Sequence, residues 1–190
     1  MASAEQQDPK RKMHRSPAYP SLGLKVALGH AKTIYKEEKR TAAPVAVVAS
    51  HCGADIKSSK GLRLIAALKQ FGLVVEEGSG DDRKVKLSDR ALDIELADSD
   101  EQRNVAIQAA ALAPPIHAKI WEHYGGNLPS EPTLKSYLLR TINFNDAYVD
   151  RFIKQFRSTL AFAKLTSDDI IDDDEGDDDD PDGGSRSKDK

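Results

Sequence analysis

The chain is poor in cysteine and in aromatic residues: its 190 residues include one cysteine, Cys52, and one tryptophan. A single cysteine excludes an internal disulfide and any zinc site built mainly from cysteines, and it fits a reducing compartment. No run approaches the roughly 18 consecutive apolar residues of a membrane helix. Residues 1–15 also lack the apolar stretch of a secretory signal. We therefore expect a cytoplasmic protein without a membrane segment.

Charge is distributed unevenly along the chain, although the net charge is only −3. Between Thr166 and Lys190 there are 12 acidic and 3 basic residues, a net charge of −9, so that residues 1–165 carry +6. A basic body favours polyanionic partners. The overall balance therefore hides a cationic body joined to an anionic tail.

Both ends of the chain are predicted to be disordered. Residues 1–16 are polar and carry a basic cluster, and residues 166–190 have eleven acidic residues between Asp168 and Asp182. Neither segment has enough apolar side chains to form a core. Two roles stay open for the acidic tail: it competes with nucleic acid for the basic face of the body, or it serves solubility and touches nothing.

The pattern of residues 17–97 predicts helices followed by one β-hairpin. Apolar residues at helical spacing, serine caps and glycine stops mark the helices, whereas alternating residues around a glycine- and aspartate-rich tip mark the hairpin. The predicted elements are a helix from Ser21, a short helix over 45–51, a third helix from Ser58 or Ser59 to Gly72, and two strands within 73–77 and 83–87.

Residues 98–165 are predicted to form a second, helical unit. Its last helix has a continuous apolar stripe, formed by Val149, Phe152, Ile153, Phe156, Leu160 and Ala163. We interpret this stripe as core. The alternative is a dimer seam, which would make the protein a homodimer through its C-terminal helices. The fold class is thus mainly α with a small β-hairpin.

This order of elements is typical of a winged helix-turn-helix, in which the third helix enters the major groove and the hairpin lies against the DNA backbone. At its leading end the third helix offers side chains for the groove, namely Ser58, Ser59, Lys60 and Arg63. Phosphates would be neutralised by Lys57 and by three hairpin residues, namely Arg83, Lys84 and Lys86.

A family resemblance supports this interpretation. Residues 17–97 resemble the winged helix-turn-helix superfamily, most typically over Gly61–Val74, where an aromatic-Gly-Leu step leads from the helix into the first wing strand. The resemblance implies a module that binds double-stranded DNA, with a role in transcriptional regulation. The segment from Ser16 to Leu165 is also similar to a class of small bacterial proteins of unassigned role, and that similarity implies no chemistry.

A protein-interaction adaptor, which docks a partner through the same fold and the apolar C-terminal helix, is the alternative, because acidic residues in the hairpin would face phosphate. These are Glu76 and Glu77 in a strand and Asp81 and Asp82 at the tip.

No catalytic, metal or cofactor site is expected. His117 and His123 are six residues apart, which does not suit two ligands on one helix face. The neighbours His51 and Cys52 are weak grounds for a nucleophile. The run Gly78-Ser79-Gly80 lacks the Gly-Lys-Ser/Thr of a phosphate loop, so we interpret it as the hairpin tip.

Overall fold

A computed structural model describes residues 16–167, except for the side chain of Asp81. The predicted arm up to residue 15 and the tail from residue 168 lie outside the described residues. The first half of the described chain folds in the predicted order. Its elements are α1 (Leu24–Glu38), β1 (Ala43–Pro44), α2 (Val45–His51), α3 (Ser59–Gln70), β2 (Val74–Glu77), a 3₁₀ turn (Gly80–Asp82) and β3 (Lys84–Leu87).

The three strands form one antiparallel sheet in the order β1-β3-β2. Val74 pairs with Leu87 and Glu77 with Lys84 in the hairpin, while Ala43 of β1 pairs with Val85. The hairpin was predicted and β1 was not. A two-residue strand has no measurable alternation, and its Pro44 suits only an edge position.

In the second half of the described residues, every regular element is an α-helix. Its elements are α4 (Asp89–Glu95), α5 (Asp100–Ala111), α6 (Pro115–Tyr124), α7 (Glu131–Arg140) and α8 (Asp146–Phe162). The prediction of a mainly α protein with a small β element is therefore confirmed.

Serine caps set the start of several helices. The hydroxyls of Ser58, Ser88 and Ser99 accept hydrogen bonds from backbone N–H groups in the first turns of α3, α4 and α5. The expected cap at Ser21 was wrong, because α1 begins three residues later behind Gly23. The Ser21 hydroxyl instead donates to the carbonyl of Arg63, 3.3 Å away, and so joins the N-terminal segment to α3.

The body has two apolar clusters. The first gathers side chains of α1–α5 and the sheet, and it includes Ala163 beyond the end of α8. The second gathers side chains of α6, α7 and α8. Because Ile107 and Ala110 of α5 lie in the first cluster, the core around α3 extends past residue 97. The division into units at 97/98 stays a prediction.

The apolar stripe of α8 is core, as predicted. Phe152, Phe156 and Leu160 are each no more than 1 % exposed within the single chain. Neither a seam between two copies nor the expected docking of a protein partner on this helix can use side chains that are already buried inside one copy. A homodimer stays a prediction and would have to use other faces of the C-terminal helices.

Buried polar groups attach the N-terminal segment to α8. The Gln155 amide donates to the carbonyls of Pro20, at 2.8 Å, and Leu22. The Thr159 hydroxyl accepts from the backbone N–H of Leu24 at 3.4 Å. Since a buried polar group without a partner is costly, these bonds fix the position of α8 relative to the start of α1.

His117 of α6 lies where the two clusters meet. Its ring is 6.0 Å from Phe71, at the end of α3, and 4.9 Å from Phe156 of α8. Nδ1 donates to the carbonyl of Ala111 at 2.9 Å. Burial, which outweighs that hydrogen bond, lowers the pKa of His117 from 6.5 to about 4, so the ring is neutral at physiological pH.

No helix among the described residues combines the length and the apolar character needed to cross a bilayer.

The depressed pKa of His117 predicts an acid-sensitive fold. Between pH 6.5 and about 4 the unfolded chain binds a proton at His117 that the folded chain does not, so folding stability falls as the pH falls through this range. In an NMR titration of the histidine ring protons, assigned with a His117→Gln variant, the His117 signal should stay constant from pH 7.5 to 5.5. Titration near pH 6.5 would contradict the burial.

Candidate nucleic-acid interface

The leading end of α3 is fixed by a serine cap and by a close backbone contact. The Ser58 hydroxyl accepts from the N–H of Gly61 at 3.1 Å and donates to the carbonyl of Asp55 at 2.6 Å. Gly61 is buried against the loop before the helix, where a Cβ would overlap the Asp55 carbonyl and come within 2.9 Å of the Ile56 Cα. The loop carrying Lys57 is therefore held against the first turn of α3.

One side of α3 belongs to the core and the other faces out. The buried side consists of Gly61, Leu64, Ile65, Ala67 and Leu68. Ser59, Lys60 and Ala66 are exposed, and Arg63 is half-buried. The helix is thus open along one side over its whole length.

The middle of this open side is apolar. Leu62 is 52 % exposed, and Ala66, one turn further on, is also exposed. The cationic side chains Lys57 and Lys60 lie at the leading end, and Lys69 lies at the other. A groove-binding helix would therefore present a methyl-rich centre between two charged ends.

We call residues 74–87, which comprise β2, β3 and their connection, the wing. The alternation of β3 places Val85 and Leu87 in the core and Lys84 and Lys86 on the outer face. Glu77 of β2 lies 2.5 Å from the Lys86 ammonium. One of the predicted phosphate contacts is thus already paired within the wing.

Glu76 ties the wing to α3. Its carboxylate accepts a hydrogen bond from Lys69, in the last turn of α3, and another from Arg83 at 3.0 Å. These cations lower the pKa of Glu76, the hydrogen bond from Lys69 most of all. Arg83 is consequently also engaged with a carboxylate.

The eight predicted contact residues fall into two groups. Lys57, Ser58, Ser59, Lys60 and Arg63 are collected at the leading end of α3, and Arg83, Lys84 and Lys86 lie in or beside β3. Among the described residues, no carboxylate lies within ion-pair distance of Lys57 or Lys84.

Sequence reasoning missed two features of this surface. The apolar residues of the third helix predict a buried side formed by Leu62, Ile65, Ala66 and Leu68. Leu62 and Ala66 are exposed instead, because a helical wheel places them on the side of α3 away from Leu64. The joint role of Lys69 and Glu76 has no such signal, because seven residues and a chain reversal separate them.

The remaining candidates, His51, Cys52, His117 and His123, lie in different surroundings. The pKa of Cys52 is raised to about 11 by burial, so its thiol is protonated and weakly nucleophilic at neutral pH. The Nε2 atom of His51 lies 2.8 Å from the carboxylate of Glu38. His117 is buried whereas His123 is exposed, and within residues 16–167 no three metal-ligating side chains form a cluster.

A cleft of about 530 Å³ lies beside the wing. It is lined by residues of α3, β2 and the tip, namely Lys69, Val74, Val75, Glu76, Gly78, Ser79, Gly80 and Arg83. Gly78 and Gly80 have positive φ angles of 80° and 59°, as expected for a hairpin tip.

Comparison of the chain with protein-family models, with curated proteins and with solved structures found no match.

The close contact at Gly61 predicts that adding a methyl group at this position lowers the stability of the fold. Gly61→Ala should destabilise the protein by about 1–3 kcal/mol, because the added Cβ forces the Asp55 loop away from α3. Urea unfolding followed by circular dichroism measures the change.

Gly29→Ala is the matched control, since nothing lies within 4 Å of a Cβ at that exposed position of α1. It should stabilise by about 0.5–1 kcal/mol through helix propensity. Equal effects of the two substitutions would show that the Gly61 contact does not hold the loop.

Proposed function

We propose that residues 17–97 form a winged helix-turn-helix that binds double-stranded DNA without catalysing a reaction, in a role such as transcriptional regulation. The element order, and a sheet in which β3 lies between β1 and β2, support this fold. A location in the cytoplasm belongs to the same proposal and agrees with the single cysteine.

The observation that carries the proposal is the open side of α3. Its inner side packs into the first cluster, while the outer side stays open and has Ser59 and Arg63 at the leading end, where Lys60 is also exposed in the first turn. A helix of ordinary diameter fits the major groove, and a recognition helix presents its N-terminal residues to base edges. The methyl-rich centre at Leu62 and Ala66 suits contact with thymine methyl groups.

The eight residues take different roles in the proposed complex. Lys60, Arg63 and Ser59 face the groove, and Lys57 and Lys84 neutralise phosphates. Ser58 acts as a positioning residue, because its hydroxyl is engaged in the cap. Arg83 and Lys86 would have to exchange a glutamate for a phosphate, which reduces their contribution to affinity.

The proposed contacts make binding dependent on salt. Each phosphate neutralised contributes about −0.9 to the slope of log K against log salt concentration. On random-sequence duplex, Lys60 and Arg63 contact phosphates in place of specific base edges. With Lys57, Lys60, Arg63 and Lys84 all engaged in this way, we expect a slope of about −4.

A protein-docking adaptor is the second candidate, and one observation favours it. Leu62, at the middle of the open side of α3, is 52 % exposed, and Val47 of α2 is 39 % exposed. Exposed apolar side chains at the centre of a surface are more typical of protein interfaces than of phosphate contacts. Docking through Leu62 would use the open side of α3 and would not require cations.

A salt titration of duplex binding tests the proposal. In the variant Lys60→Ala/Arg63→Ala the slope should become shallower by up to about 2, and affinity at low salt should fall roughly 10-fold or more. Fluorescence anisotropy with a labelled random-sequence duplex measures both quantities.

The matched control is Lys119→Ala/Arg151→Ala, which removes the same charges from exposed positions on α6 and α8. The control should keep the wild-type slope. Equal losses in both variants would mean that net charge and not the α3 surface drives binding. Absence of salt-dependent binding by the wild-type protein would favour the adaptor.

A further inference from the structure

A second cationic surface runs along α1, and it includes none of the proposed DNA contacts. Lys25, Lys32 and Lys36 are exposed, and with Gly29 they follow the i, i+4, i+7, i+11 spacing of one helix face. We call these three residues the lysine stripe. The opposite face of α1 lies in the first cluster through Leu24, Ala27, Ala31 and Ile34.

The charge along this stripe is of one sign. The sequence has no acidic residue from Leu24 to Lys36, and Lys39 and Arg40 extend the positive charge beyond the helix. Of the two glutamates between Lys36 and Lys39, Glu38 is engaged by His51 and Glu37 is exposed. In contrast, the wing has Glu76 and Glu77 among its cations. An anionic chain would therefore meet less repulsion on α1 than on the wing.

The surface around Gly29 is open. A Cβ built at Gly29 would meet no atom within 4 Å, so an extended chain can approach the helix backbone between Lys25 and Lys32.

The acidic segment of the same chain follows α8, and α8 contacts the start of α1. Thr159 of α8 accepts a hydrogen bond from the N–H of Leu24, one residue before Lys25. Ala163 packs in the same cluster as α1, and the described chain ends at Ser167. The anionic run from Asp168 to Asp182 thus starts nine residues beyond Thr159.

The acidic segment is long enough to extend along the whole lysine stripe. From Lys25 to Lys36 the helix rises by about 17 Å, whereas fifteen extended residues span up to about 50 Å. Tethering gives such a segment an effective concentration on the order of millimolar.

We propose that residues 168–182 bind along the lysine stripe of α1. Eleven carboxylates in fifteen residues provide the complementary charge. The contact is intramolecular, leaves the open side of α3 uncovered, and weakens with salt because exposed charges are screened. It does not depend on the proposed function.

A paramagnetic label on the acidic segment tests this contact in the full chain without nucleic acid. The label is attached through Asp177→Cys in a Cys52→Ala background, and broadening of backbone amide signals is measured by NMR. We expect the strongest broadening at residues 25–36. It should disappear at about 1 M salt, where the Debye length is about 3 Å.

Two charge-reversal variants decide between surfaces. Lys32→Glu/Lys36→Glu should abolish the broadening over residues 25–36. The matched control Lys119→Glu/Lys154→Glu reverses two exposed lysines on α6 and α8 and should leave it unchanged. Because all four side chains are exposed, thermal unfolding should show that both variants stay folded.

Broadening centred on residues 57–63 and 84–86 would overturn the proposal in favour of a tail that covers the DNA-contact surface. Uniform or absent broadening at low salt would overturn it in favour of a tail that binds no surface. Persistence of the α1 signal in Lys32→Glu/Lys36→Glu would also contradict the lysine stripe as the docking site.

Discussion

The packing of α8 is the constraint on which the other contacts depend. Its apolar stripe fills the second cluster, while Gln155 and Thr159 bind the backbone that leads into α1. Because these polar groups are buried, losing their hydrogen bonds would be costly. The bonds form only when α8 and the segment before α1 are in this relative position. The start of α1 is thereby fixed, and α1 in turn provides the inner wall against which α3 packs.

This arrangement explains why α3 has an open side. The side of α3 that carries Leu64 and Leu68 is buried in the first cluster. Glu76 holds the wing against the C-terminal end of α3. No other element among residues 16–167 covers Leu62, which remains half exposed. The open side of α3 is therefore a consequence of packing elsewhere, and the cations at its leading end give that end a positive charge.

Local signals in the sequence predicted most of the fold. Serine caps such as Ser58, glycine stops such as Gly72 and the stripe of α8 act over a few residues, so they can be read from spacing alone. The meeting of the two clusters at His117 and the pairing of Glu76 with Lys69 could not be predicted, because they join residues that only tertiary packing brings together. The sequence predicted which cationic residues lie at the candidate site. It could not predict that Arg83 and Lys86 pair with glutamates of the wing, because these pairs depend on the register of the hairpin.

Hydrogen–deuterium exchange of the full chain, measured with and without duplex DNA, locates the DNA-binding surface because it reports where a ligand covers the backbone. We expect slower exchange at the leading end of α3, over residues 57–66, and in β3, with α6 and α7 unchanged. Slower exchange confined to α6 and α7, or no change at low salt, would contradict the assignment of the open side of α3 as the DNA-binding surface.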